Sequence, residues 1–224
     1  MITYTTIGGP SRVIGKWYCP AAAKQATMIL MALFSGARKG QQLFQSGQYA
    51  RAAKELLPLA RKGNATAQYY IARMFHEGKG LPEDNSAAFT WAKKAAEQGD
   101  GDGEALLGIL YAIGKGVARD DDEAARWFHR AAARGNAIGQ SKMGLCHLRG
   151  AGVPRDSVKA YMWFDLATSN SGGHDQMCNC DLRDTFATMD LTPAQILLAQ
   201  KMAHAWKPNL HHEVDSTNSP SAIS

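Results

Sequence analysis

A few groups of residues in this 224-residue chain could do chemistry. His174, Cys178 and Cys180 bring three soft or borderline ligands together, enough to hold zinc if His211 or His212 supplied a fourth. Their spacing matches no standard zinc motif, and Cys-x-Cys on a helix points its thiols apart. The competing reading is a loop with incidental cysteines, or a redox-labile pair if the chain is exported. Cys146 and His147 set a thiol beside an imidazole. Adjacent residues on a helix do not face each other, so they make a poor nucleophile–base pair. Gly78-Lys79-Gly80 and Gly114-Lys115-Gly116 place a lysine between glycines but lack the spacing of a phosphate loop. Asp84, Asp120 and Asp156 could be read as a ladder of metal ligands. The sequence shows no Ser/His/Asp constellation and no HExxH, so no catalytic residue and no cofactor is expected.

The elements that would position these groups explain most of them. Asp84, Asp120 and Asp156 step by 36 residues, and so do Gly78, Gly114 and Gly150, Gly80, Gly116 and Gly152, and Trp91, Trp127 and Trp163. A fixed period of this size marks a repeat architecture. Within one period, Ala88, Trp91, Ala92, Ala95 and Ala96 have the spacing of a helix with one buried face; Ala124, Trp127, Phe128, Ala131 and Ala132 repeat it. A first helix precedes it, carrying Ile71, Met74 and Phe75, then Leu107, Leu110 and Tyr111, then Met143, Cys146 and His147. Ala72, Gly108 and Gly144 recur beside them and would let two helices approach closely. Gly63, Gly99 and Gly135 end the second helices, where positive φ is wanted. Asn64, Asp100 and Asn136 are placed to cap the next first helix; the Asp84 column caps the second. Asp120 and Glu123 have capping-box spacing. Capping thus accounts for the acidic ladder, and packing for Cys146 and His147.

These residues resemble the Sel1-like repeat, a relative of the tetratricopeptide repeat. The first copy supplies Ala67, Ile71-Ala72, Phe75, Gly78, Gly80, Asp84, Trp91, Lys94-Ala95-Ala96 and Gly99. The second supplies Leu107-Gly108, Tyr111, Gly114, Gly116, Val117, Asp120, Trp127, Arg130-Ala131-Ala132 and Gly135. The third supplies Met143-Gly144, Gly150, Gly152, Val153, Asp156, Lys159-Ala160 and Trp163, but has His147 for the aromatic and Ser171 for the closing glycine. The resemblance implies an all-α, right-handed solenoid of antiparallel helix pairs, acting as a non-catalytic scaffold for a protein or peptide. It also implies an alternative, an exported hydrolase or binder of cell-wall or β-lactam-like ligands. That reading needs a nucleophile in a polar pocket, and only Cys146 of the cysteines lies in the repeats.

The expected organisation is a leader at 1–37, a degenerate opening repeat at 38–63, full repeats at 64–99, 100–135 and 136–171, capping helices at 172–207 and a disordered tail at 208–224. The apolar run Ala26–Phe34 follows Arg12, Lys16 and Lys24, and small residues at Ser35 and Ala37 come after it. It is too short to span a bilayer and has the length of a signal-peptide core. Export to the periplasm or beyond is the reading, with a cytoplasmic chain whose Met28–Phe34 helix joins the stack as the alternative. In the opening repeat, Leu43 and Phe44 fall on the first helix, Ala52, Ala53, Leu56 and Ala60 on the second, with a kink at Pro58. Near the other end, Leu182, Phe186 and Met189 suggest a short helix. Thr192-Pro193-Ala194-Gln195 opens a final helix whose Ile196, Ala199, Ala203 and Trp206 share a face.

Composition is that of a mixed-charge globular surface: 25 Lys and Arg against 20 Asp and Glu, net +5, with 45% hydrophobic residues and no basic block of the kind that binds nucleic acid. In helical-pair solenoids the first helices line the concave face. Tyr69, Arg73 and His76, then Ala105, Ile109 and Ala112, then Ser141, Leu145 and Leu148 are expected to point into it. That predicts a groove, polar at Tyr69, Arg73 and His76 and apolar at Ile109, Leu145 and Leu148. The alternative is that helices after Gly173 fold over those leucines.

Overall fold

The computed structural model describes residues 36–170 and 191–208. It is all-helical over these residues. Helix α1 spans 36–45, followed by α2 (Tyr49–Arg61), α3 (Ala65–Glu77), α4 (Asn85–Glu97), α5 (Gly101–Ile113), α6 (Asp121–Ala133), α7 (Ala137–Arg149), α8 (Ser157–Asn170) and α9 (Pro193–Ala205). Consecutive helices pack as pairs, and each pair packs on the next, giving an α-solenoid. The first helices also touch along the array, α3 with α5 and α5 with α7.

A side-chain cap starts every helix inside the repeats. Asn64, Asp100 and Asn136 accept from the backbone N–H three residues on, at 2.8–2.9 Å. Asp84, Asp120 and Asp156 do the same for α4, α6 and α8 at 2.9–3.0 Å. The acidic ladder is therefore a ladder of caps. The expected box at Asp120 closes only halfway: Glu123 pairs with Arg126 instead of reaching back. A full box forms at Thr192 and Gln195, with Pro193 at the first turn of α9.

The turn between pairs is three residues long, Gln98, Gly99 and Asp100 between α4 and α5. Gly99 N–H donates to Ala96 C=O, and Asp100 N–H donates to Ala95 C=O. This is the Schellman pattern, and its last residue is already the cap of α5. The longer turn within a pair fixes how repeats stack. Gly116 has φ +76°, and a Cβ there would lie 2.1 Å from the Asn85 carbonyl oxygen, at the start of the preceding repeat's α4. Gly152 meets Asp121 in the same way. The glycine brings each loop onto the backbone of the repeat before it.

Within a pair, small and large residues alternate across the contact. A Cβ on Gly108 would meet the Phe128 ring at 2.7 Å, and one on Gly144 the Phe164 ring at 2.6 Å. In the first repeat the same two columns hold Ala72 and Ala92, both fully buried. Volume is conserved by trading it between helices, as close-packed interiors require.

The ends differ from the middle. α1 takes in Gly36 and Ala37, and Ala37 is buried, so ordered helix begins at or before the expected leader boundary. α2 continues through Pro58 to Arg61. α9 lies on α8 through Ala199 and Ala203, with Trp206 edge-on to Trp163 at 5.8 Å. Trp91 and Trp127 are instead covered by Lys94 and Arg130 at 4.6 and 4.4 Å. The last helix supplies a ring where the repeats supply a cation. The apolar run Ala26–Phe34, the helix at Leu182, Phe186 and Met189, and the tail beyond Pro208 lie outside the described residues.

Candidate functional site

The three first helices α3, α5 and α7 present equivalent columns, and α5, packed on both sides, shows which of them stay open. Ile109 and Ala112 are half-exposed, Ile113 is 50% exposed and Asp102 is exposed. Ala105 and Leu106 are closed, at 1% and 6%. The expected column Tyr69, Ala105 and Ser141 therefore does not line a groove at its first two members. Tyr69 is 7% exposed and packs edge-on against Tyr70 at 4.9 Å. Single-helix periodicity places these residues outward; contact between neighbouring first helices covers them.

The remaining expected residues stay partly exposed. Arg73 and His76 are half-buried at one end; Ile109, Leu145 and Leu148 are half-exposed further along. Ile113 belongs with them, and the sequence reading missed it. The signal was available, since it lies four residues beyond Ile109 on one helix face. Among the described residues nothing buries the leucines fully, and α9 packs on α8 rather than over α7.

The polar end is a cluster of ion pairs and cation–ring contacts. Arg73 pairs with Glu77 and lies over the Phe44 ring at 4.9 Å. Lys79 reaches Glu77 at 2.8 Å and stands over Tyr49 at 5.6 Å. Burial alone would raise the Glu77 pKa, but hydrogen bonds from Arg73 and Lys79 outweigh it and hold the carboxyl below its usual range. Burial raises the Tyr69 phenol, with the Asp102 charge adding to it. Tyr69 is therefore neutral at physiological pH.

Cys146 is buried, and burial pushes its thiol up to about 11. His147 is also buried; its Nδ1 lies 3.2 Å from the Pro154 carbonyl, and burial lowers its pKa. Both pack as the sequence indicated. Among the described residues no three His, Cys, Asp or Glu side chains gather as a metal site. His174, Cys178, Cys180, His211 and His212 lie outside those residues. Among the described helices none is long and apolar enough to cross a membrane.

One feature of the core escaped the sequence reading entirely. Gln68, Glu104 and Gln140 occupy one column of the first helices and are 4%, 0% and 0% exposed. Each meets a polar residue 30 positions on: Gln98 Nε2 donates to Gln68 at 2.6 Å, Arg134 Nε to Glu104 at 3.2 Å, and Asn170 Nδ2 to Gln140 at 3.0 Å. Gln68 also donates to the Ala60 carbonyl, and Gln140 to that of Ala132. The middle rung is ionic, with Arg130 also 3.2 Å from Glu104 Oε1. Burial raises the Glu104 pKa, and the two arginines offset this only in part.

Comparison with known proteins agrees with this architecture. The Sel1 repeat profile matches residues 65–100, 101–136 and 137–171. A 57-residue stretch is 39% identical to the alginate biosynthesis protein AlgK of Azotobacter vinelandii, spanning 25% of this chain and 12% of that protein. A Sel1 repeat protein from Oxalobacter formigenes superposes with a TM-score of 0.61 at 24% identity, over 75% of this chain and 67% of its own. Cysteine rich protein B of Helicobacter pylori gives a TM-score of 0.43 at 21% identity, over 65% of this chain and 96% of its own. With three consecutive repeat matches lying on α3 to α8, the chain is a Sel1-repeat protein.

Proposed function

We propose that the chain is a non-catalytic scaffold that receives a segment of another protein on the surface of α3, α5 and α7. The Sel1 repeat fold is typical of protein–protein interaction, which supports the general reading. The observation that carries the specific one is the exposure of α5. With neighbours packed on both sides, it still leaves Ile109 half-open and Ile113 at 50%. Aliphatic side chains at the centre of an array gain from burial, at roughly 25 cal/mol per Å². The first helices touch along the array, which suits the inner side of its curvature. Export remains part of the proposal, supported by the apolar run Ala26–Phe34 behind its basic residues.

The test is selection of binders from a displayed random peptide library on the full chain, with binding of resynthesised peptides read by fluorescence anisotropy. Ile113→Asp and Leu145→Asp should each weaken binding at least about tenfold, since a charge is set into the apolar contact. Glu97→Lys on the second-helix surface should leave it unchanged. Peptides indifferent to both groove variants would refute the reading.

A further inference from the structure

The open surface is electrically lopsided. Lys79 and Lys115 hold one column in the turns after α3 and α5, and Arg149 ends α7 in the column of Glu77 and Ile113, with Arg73 one turn inside; these cations mark the C-terminal edge. Glu77 is shared between Arg73 and Lys79, and Glu83 pairs with Lys115 at 3.2 Å. Four cations thus face two carboxylates. Arg149 is exposed and has no ion-pair partner among the described residues. On the opposite edge stands Asp102, exposed, accepting from Asn136 Nδ2 at 2.7 Å. Inside that edge lie Ile109 on α5 and Leu145 and Leu148 on α7, with Ile113 at the end of α5 in the column of Arg149. Neighbouring helices stand about 8–10 Å apart, so this floor seats two or three aliphatic side chains.

We propose that the segment received here is acidic: aliphatic side chains rest on Ile109, Ile113, Leu145 and Leu148, and Asp or Glu side chains lie along the Lys79–Lys115–Arg149 edge. This rests on the groove reading above and adds the chemistry of the partner. The Arg149 guanidinium, without an ion-pair partner among the described residues and one turn beyond Leu145, offers a carboxylate a charge-assisted hydrogen bond within reach of the apolar contact. A basic segment meets excess positive charge on that edge and is disfavoured. Binding should weaken with salt, because these cations are exposed and screened.

The experiment runs peptide-library selection on the full-length wild type, Arg149→Glu and Leu145→Asp, with Ile113→Asp as a second floor variant and circular dichroism to confirm helicity. The wild type should enrich peptides that combine Leu, Ile or Val with two or more Asp or Glu. These should lose roughly tenfold in affinity on Arg149→Glu and on a floor variant. Enriched peptides that need the floor but are neutral or basic overturn the acidic assignment and leave the groove standing. Acidic peptides indifferent to both floor variants overturn it too, since they bind by charge elsewhere. Absence of any peptide sensitive to a floor variant overturns both the assignment and the groove.

Discussion

Replacing Glu104 with Gln should leave the protein as stable or make it more so. Glu104 is fully buried, and its Oε1 has no hydrogen bond although Arg130 stands 3.2 Å away. The flanking rungs show what a neutral residue does in this place. Gln68 accepts from Gln98 and donates to the Ala60 carbonyl; Gln140 accepts from Asn170 and donates to that of Ala132. Ala96 is the equivalent carbonyl in the middle repeat, so Gln at 104 can accept from Arg134 and donate to Ala96. The substitution relieves the desolvation of a carboxylate, gains one hydrogen bond of about 1 kcal/mol and gives up two ion pairs with partly exposed arginines. Arg130 keeps its place over Trp127. The expected change at pH 7 is 0 to about 1.5 kcal/mol more stable, or up to roughly 3–6 °C in Tm for a chain of this size.

The pH dependence gives a sharper form. The folded-state pKa of Glu104 is raised, so the folded protein holds more protons than the unfolded chain between the ordinary and the raised value. Its contribution to stability falls as pH rises through that window and stays low above it. Gln removes this contribution. The gain of Glu104→Gln over wild type should be largest at neutral pH and shrink towards the ordinary Glu pKa, roughly 4.3. Carboxylates with lowered pKa, such as Glu77 and Asp156, lose stability on acidification in both proteins and cancel in the difference. Thermal unfolding of both proteins from pH 4 to 8 reads it. A variant melting 4 °C or more below wild type at pH 7, or a difference that grows on acidification, would refute the reasoning.

Three further outcomes are expected. Gly116→Ala should cost about 2–4 kcal/mol, combining left-handed backbone strain with displacement of α4, whereas Gly114→Ala, whose Cβ comes no nearer than 3.2 Å to Arg119 of its own loop, should cost about 1–2; paired melting curves compare them. Asp84→Ala should lose about 1 kcal/mol as a cap, and Asn136→Ala somewhat more because it also abandons its bond to Asp102, both measurable by urea unfolding. Iodoacetamide labelling mapped to Cys146 at pH 8 should run about 100-fold slower than in urea, since a thiol at about 11 is almost wholly protonated there; labelling as fast as the unfolded chain would contradict its packed position.

The fold was legible because each structural role recurs at fixed spacing. An Asp before one helix is ambiguous, whereas Asp84, Asp120 and Asp156 in register can be read as caps, and the structure shows them capping. The same recurrence exposed Ala72, Gly108 and Gly144 as sites of close approach. What stayed hidden depends on contacts between helices. Gln68, Glu104 and Gln140 resemble surface residues until partners 30 positions on are placed beside them. Tyr69 and Ala105 fall on an outward face of an isolated helix and are covered only when first helices stack. Glu123 had the spacing of a capping box but found Arg126 closer at hand.

Hydrogen–deuterium exchange of the full chain, with and without a selected peptide, tests the central claim most directly. Protection on binding should concentrate in the C-terminal halves of α5 and α7, around Ile109, Ile113, Leu145 and Leu148, and leave α4 and α6 unchanged. Protection confined to α4, α6 or α9 would contradict a binding surface on the first helices.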